Sequence, residues 1–172
     1  MDPFETLGIE PRFDLDMRMI EKRHRELSRA LHPDRYVGRP ASERRMALNR
    51  AIEVNQAWRV VRDPVRRAEA LLRRAGLDAG ETGGATADPG LLMEMMEQRE
   101  ALGEARMERD AAKVQRLTDA MRDRERRVLG SLAARLDSHD AESIASALPA
   151  LGELRFVRRF LEEASAAEDE LL

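Results

Sequence analysis

The chain of 172 residues contains no cysteine, which excludes disulfide bonds and thiolate metal sites. Its only histidines are His24, His32 and His139, and no two of them have the i, i+4 spacing of a helical metal site. Aromatic residues make up only 3% of the chain, which gives β-strands little to pack with. We therefore expect no metal site and no bound cofactor.

Long hydrophobic runs are also missing. No apolar stretch approaches the roughly 20 residues of a membrane-spanning helix. The first residues, MDPFETLG, have the features of neither a signal peptide nor a transit peptide. No set of side chains suggests a nucleophile with its base. These absences predict a cytoplasmic protein that is not an enzyme and does not enter a membrane.

Charged residues account for 37% of the chain, and Ala, Leu, Arg, Glu and Met dominate, which favours an all-α fold. Residues 1–76 carry 17 Lys and Arg against 12 Asp and Glu, a net charge of +5, whereas residues 77–172 carry 13 against 21, a net charge of -8. Two halves of opposite charge suggest two partners. Glycine and small polar residues cluster at 77–90, which predicts a linker between domains at 1–76 and 91–172.

In the first domain, Asp16 is the expected N-cap of a helix over 17–31, and a second long helix is expected over 41–62. Short helices near 4–7 and 65–75 would flank this antiparallel hairpin. In the 17–31 helix, steps of three and four predict an apolar stripe of Met17, Ile20, His24, Leu27 and Leu31. Phe13 and Trp58 are also expected in the core.

The second domain is predicted to be a three-helix bundle, with helices near 89–108, 111–137 and 140–170. Pro149 and Gly152 should bend or break the last of them, because proline lacks an amide proton and glycine is a poor helix former.

The tripeptide His32-Pro33-Asp34 ends the first long helix and places an imidazole and a carboxylate on an exposed corner. A basic stripe on the preceding helix leads into it. That stripe has three interpretations: a solvated helix face, a nucleic-acid surface, or a surface for an acidic protein. The nearby Glu21 and Glu26 disfavour nucleic acid. The stripe consists of Arg18, Lys22, Arg25 and Arg29.

The helix near 89–108 carries more apolar residues than one bundle seam needs. Leu91, Met95 and Leu102 would form the seam. The remaining apolar residues form either an adaptable binding patch or a wide core face with methionine as filler. Phe156 and Phe160 are equally ambiguous. The second face consists of Leu92, Met93 and Met96, continued by Glu97, Glu100 and Glu104.

The first domain resembles a J-domain in its opening F-x-x-L-G-I, its basic helix, its His-Pro-Asp, the N-Q-A-W stretch at 55–58 and the R-D-P-x-x-R-A-E stretch at 62–69. The whole chain resembles the HscB family, J-type co-chaperones of iron–sulfur cluster assembly. The distinguishing stretches are A-E-A-L-L at 68–72 and L-M-E at 92–94 with the glutamates after it.

This resemblance implies that the chain stimulates the ATPase of a DnaK/HscA-type chaperone and brings it an IscU-type scaffold protein. It implies chaperone binding by His32, Pro33, Asp34 and the basic stripe, with Asp34 pairing with a basic group. The scaffold would be bound by Leu92, Met93, Met96, Glu97, Glu100, Glu104 and Phe156. A general J-protein that recruits a DnaK-type chaperone to unfolded clients is the alternative.

The sequence departs from the family pattern at several positions. Met96 stands where leucine is usual, and His24 stands where a larger aromatic residue is expected. Gly103 lies within the scaffold-binding helix, at a propensity cost of roughly 1 kcal/mol relative to alanine. Pro149 lies on the approach to Phe156.

Overall fold

The computed structural model describes residues 1–80 and 89–171, which divide into two compact units at Gly76 and Leu77. Every regular element in these ranges is a helix, so the all-α prediction is confirmed. Residues 81–88 of the predicted linker lie outside the described residues. None of the described helices has both the length and the apolar character needed to cross a membrane.

The first unit consists of α1 (Pro3–Leu7), α2 (Met17–Ala30), α3 (Ala41–Arg62) and α4 (Pro64–Arg74). α2 and α3 form the hairpin, and α1 and α4 pack on α3. Apolar side chains from all four helices and the α1–α2 loop form the core of this unit. Its largest buried residues are Phe4, Leu7, Phe13, Ile20, Val54, Val61, Leu71 and Leu72.

Local signals in the sequence determine where α4 begins and ends. The Asp63 side chain accepts a hydrogen bond from the Arg66 amide at 3.0 Å, and Pro64 occupies the first helical position, where its missing amide proton costs nothing. Gly76, at φ +79°, follows the helix in the left-handed conformation that glycine adopts without strain.

The second unit contains α5 (Pro89–Met107), α6 (Ala111–Leu136), α7 (Ala141–Ala145) and α8 (Ala147–Leu171). α6 and α8 form the main helix pair, and α5 packs on both with fewer contacts. One apolar cluster joins the three long helices. Its buried members are Leu102, Ala105, Val114, Met121, Val157, Phe160, Ala164 and Ala167.

The helix predicted over 140–170, with a bend or break at Pro149 and Gly152, is in fact two helices, α7 and α8, and the break between them precedes both residues. The break falls at Ser146, whose carbonyl accepts a hydrogen bond from Arg135 at 2.8 Å. Pro149 lies in the first turn of α8, where backbone nitrogens have no carbonyl acceptor within the helix, so proline is tolerated there. α8 continues through Gly152. Proline therefore marks the start of α8 and leaves the approach to Phe156 helical.

The ends of the predicted linker belong to the second unit. Pro89 and Gly90 are the first residues of α5. Ala79 is buried, and its carbonyl accepts a hydrogen bond from Arg155 of α8.

Candidate functional site

The basic stripe lies on the exposed side of α2, opposite the buried Ile20. Arg25 forms an ion pair with Glu21 of its own helix at 3.1 Å. Within residues 1–80 and 89–171, no carboxylate pairs with Arg18, Lys22 or Arg29. Most of the positive charge on this face therefore remains available to a partner.

A capped turn holds His32, Pro33 and Asp34 at the end of α2. His32 has an extended backbone, and residues Pro33–Tyr36 form a single 3₁₀ turn. The Asp34 amide donates to Nδ1 of His32 at 3.3 Å, and the Arg35 amide donates to the His32 carbonyl at 3.0 Å. The side chains of His32 and Asp34 are 59% and 86% exposed. The imidazole therefore stabilises the turn, while the Asp34 carboxylate faces solvent.

Sequence reasoning missed an apolar cavity of about 190 Å³ beside this corner. It lies between the end of α2, the 3₁₀ turn and α3. The spacing of the exposed Leu48 and Ile52, four residues apart and off the buried stripe of α3, could have revealed that this helix face is apolar. The cavity is lined by Leu31, Pro33, Tyr36, Arg44, Ala47 and Leu48.

His24 is half-buried, so its assignment to the core was only partly right. Its ring stacks on Trp58 of α3 with the centroids 5.1 Å apart, and Trp58 is also half-buried. Nε2 of His24 lies 2.9 Å from Oδ1 of Asn55 and 3.3 Å from the Ser28 hydroxyl. These polar partners keep the ring at the surface, where it joins α2 to α3.

α5 has the two apolar faces that its sequence indicated. Leu102 is buried and Leu91 and Met95 are half-buried, as expected of the bundle seam. The other face carries Leu92, Met93 and Met96, which are 48%, 65% and 72% exposed. We call these three residues the α5 patch. Adjacent exposed side chains of this size are typical of a protein-binding surface.

Glutamates continue this face along α5. Among the residues the structure describes, Glu97 and Glu100 have no cationic partner, while Glu104 pairs with Lys113 of α6 at 3.3 Å. α5 runs unbroken through Gly103, and a Cβ at that position would meet open space. The glycine therefore lowers helix propensity without interrupting the helix.

Phe156 and Phe160 have different environments on α8. Phe160 is 1% exposed in the core of the bundle. Phe156 is half-buried and packs against the same cluster, with the two ring centroids 6.2 Å apart. Only part of Phe156 is therefore accessible to a partner.

Arg124 of α6 contacts the start of α5. Its Nη1 and Nη2 donate to the two carboxylate oxygens of Glu94 at 2.6 and 3.1 Å, and its Nε donates to Glu153 of α8 at 2.6 Å. Hydrogen bonding from Arg124 lowers the pKa of Glu94 below its ordinary value, and bonding to Glu94 raises the pKa of Arg124. This pairing depends on the relative register of three helices, so it could not be predicted from the sequence.

In the described ranges, 1–80 and 89–171, no cluster of three or more His, Asp or Glu side chains could hold a metal ion. What the two sites offer is exposed charge and apolar surface, which suit protein binding.

Comparison with known proteins found a matching family model for each of the two units. A model of the DnaJ domain matches residues 2–70, and a model described as the HSCB C-terminal oligomerisation domain matches residues 87–165. The co-chaperone protein HscB homolog of Shewanella oneidensis is 33% identical over 173 aligned positions, covering 100% of this chain and 99% of the relative. The chain belongs to the HscB family of J-domain co-chaperones.

Other members of the HscB family extend the match. The HscB homolog of Bordetella petrii is 36% identical, over 96% of this chain and 95% of the relative. The structure of chaperone HscB from Vibrio cholerae superposes with a TM-score of 0.86 at 29% identity, covering all of both chains. The human co-chaperone HscB shares the fold at 21% identity, with a TM-score of 0.85 over 96% of this chain and 81% of that one.

Proposed function

We propose that this HscB-family co-chaperone stimulates the ATPase of a DnaK/HscA-type chaperone and delivers an IscU-type iron–sulfur scaffold to it. Delivery would promote cluster transfer and the maturation of iron–sulfur proteins. The observation that carries the proposal is the α5 patch, three large apolar side chains left exposed on a helix whose other face is anchored in the bundle. The cytoplasmic location expected from the sequence stays a prediction.

The first unit would bind the chaperone. We assign this contact to the corner of His32, Pro33 and Asp34 and to the basic stripe. The exposed Asp34 carboxylate would pair with a basic group of the ATPase, and the unpaired cations of α2 would face acidic residues. Such charges increase the association rate and orient the encounter. The basic stripe consists of Arg18, Lys22, Arg25 and Arg29.

The second unit would bind the scaffold. The α5 patch would supply apolar area, and the glutamates beside it would meet basic groups of the scaffold. Phe156 would contribute its exposed edge. No residue of either unit is assigned a catalytic role, because the reaction accelerated is the chaperone's own ATP hydrolysis. The glutamates assigned here are Glu97, Glu100 and Glu104.

The substitution Asp34→Asn tests the division between the two surfaces. We expect it to weaken chaperone binding and ATPase stimulation by at least about tenfold, because a charged partner on the ATPase would lose its counterion. Scaffold affinity, measured by calorimetry, should stay unchanged. Glu10→Gln is the matched control, since it removes another exposed negative charge from the same unit. Loss of both activities in Asp34→Asn would contradict the two-surface assignment.

A further inference from the structure

The two ends of α5 are anchored differently. Leu102 and Ala105, in the C-terminal half, are buried in the bundle core. In the N-terminal half, Leu91 and Met95 are only half-buried, and the α5 patch is exposed. Apolar packing therefore fixes the end of α5 away from the patch, and another interaction must hold the turns that carry it.

Arg124 supplies that interaction. Its side chain is 16% exposed, and its guanidinium joins α5, α6 and α8 through Glu94 and Glu153. The contact with Glu94 uses two parallel hydrogen bonds, an arrangement that fixes direction as well as distance. Glu94 lies between Met93 and Met96, so a fixed Glu94 side chain also fixes the rotation of the turn that bears the patch.

Among the described residues, two other arginine–glutamate pairs join α5 to α8. Their arginines are more exposed than Arg124, whereas Glu94, at 48%, is about as exposed as their glutamates. Arg99 pairs with Glu163, and the side chains are 52% and 36% exposed. Arg106 pairs with Glu170, and these are 56% and 51% exposed. Solvent weakens such pairs, whereas the shielded guanidinium of Arg124 interacts more strongly with its carboxylates. Of the three arginines in these pairs, Arg124 is therefore the most shielded, and it is the one that contacts the N-terminal half of α5.

We propose that Arg124 is a positioning residue for scaffold binding: by clamping Glu94 against α6 and α8, it orients the α5 patch without touching the scaffold. This inference rests on the proposed function of the patch. It adds a residue on a different helix, outside the motif that the family resemblance singled out.

The first test compares Arg124→Gln with Arg122→Gln in the full chain. Arg122 is also on α6, and among the described residues its ion-pair partner is Asp119 of its own helix at 3.5 Å, so its substitution makes the same charge change without releasing α5. We expect the affinity for the scaffold to fall about three- to tenfold in Arg124→Gln and to stay unchanged in Arg122→Gln. Arg124→Lys should restore part of the affinity, because lysine keeps the charge without the two-pronged contact.

Two structural readouts separate positioning from a general loss of stability. In Arg124→Gln, amide hydrogen exchange should quicken over residues 91–98 and stay unchanged over residues 99–107, the half of α5 that the bundle core holds. The pKa of Glu94, followed by NMR, should rise towards its ordinary value once the guanidinium is gone. The other charged side chains that line the same cavity of about 430 Å³ are Arg124, Arg127 and Glu153.

The pH dependence has a definite sign. The pKa of Glu94 is lowered in the folded chain. The contact between Arg124 and Glu94 therefore contributes its full stabilisation of the α5 patch when the pH is above the ordinary pKa of a glutamate. This stabilisation is lost as the pH falls through the lowered pKa of Glu94. The wild-type advantage in scaffold affinity over Arg124→Gln should therefore shrink in acid.

A double-mutant cycle distinguishes positioning from direct contact and does not depend on the stability of Arg124→Gln alone. Glu94→Gln leaves the contact between Arg124 and Glu153 in place, so we expect the bundle to remain folded. If the clamp is correct, the double variant binds the scaffold no more weakly than either single variant. The proposal would be overturned if the losses of scaffold affinity in the two single variants added up in the double variant. It would also be overturned if Arg124→Gln kept the scaffold affinity and the amide hydrogen exchange of the wild type. Failure of the wild-type chain itself to bind scaffold would refute the proposed function.

Discussion

The α5 patch provides the sharpest quantitative test of scaffold binding. In the variant Leu92→Ala, Met93→Ala, Met96→Ala, three side chains that are 48%, 65% and 72% exposed are cut back to methyl groups. Full burial of one such side chain is worth about 1.5–3 kcal/mol. Scaled by the exposed fractions, and allowing for the methyl groups that remain, the variant should lose about 2–4 kcal/mol of binding free energy. This corresponds to a dissociation constant raised by about 30-fold or more.

The same substitutions should leave the fold intact. The three side chains contribute little to the core, and alanine is the best helix former, so the free energy of unfolding should change by less than about 0.5 kcal/mol per site. The assay is calorimetric titration of the scaffold, with the thermal unfolding of each variant measured alongside.

Met107→Ala is the matched control for the patch variant. Met107 is the last residue of α5 and is 83% exposed, so its truncation removes about as much exposed apolar surface as one patch residue, at a site outside the patch. Its affinity for the scaffold should equal that of the wild type. An affinity loss below about threefold in the patch variant, or an equal loss in Met107→Ala, would refute the reasoning.

Two further predictions concern the bundle core and the basic stripe. Phe160→Ala, at a site 1% exposed, should lower the free energy of unfolding by about 3–5 kcal/mol in urea titrations followed by circular dichroism. Phe156→Ala, at a half-buried site, should cost clearly less, and equal losses would contradict the assigned packing. Lys22→Gln with Arg29→Gln should slow association with the chaperone by about tenfold at low salt and flatten its salt dependence. An unchanged association rate would exclude the stripe from the contact.

Local signals in the sequence were enough for most of the fold. Caps such as Asp63 before Pro64, and glycine after α4, determine helix ends through hydrogen bonds within a few residues. The apolar periodicity of α6 likewise predicts a buried stripe of Val114, Leu117, Met121, Val128 and Leu132, and all of these are buried except Leu117, which is half-buried. These features depend on neighbours close in the chain, and for that reason they can be read without coordinates.

Features that depend on distant neighbours were not predictable in the same way. The break between α7 and α8 falls at Ser146, whose carbonyl is taken up by Arg135 from another helix. His24 sits at the surface because Asn55, 31 residues away, provides a polar partner. The Arg124 clamp needs three helices in one register. In each case a polar side chain forms a hydrogen bond with a residue outside its own helix, and the two are close only in the folded protein.

Steady-state ATP hydrolysis would show whether this chain couples a chaperone ATPase to an iron–sulfur scaffold. The organism's DnaK/HscA-type chaperones would be assayed with this protein, with and without the IscU-type scaffold. We expect stimulation of one chaperone that rises further when the scaffold is added. Stimulation that ignores the scaffold would point to general recruitment of unfolded clients, and no stimulation of any chaperone would contradict the account.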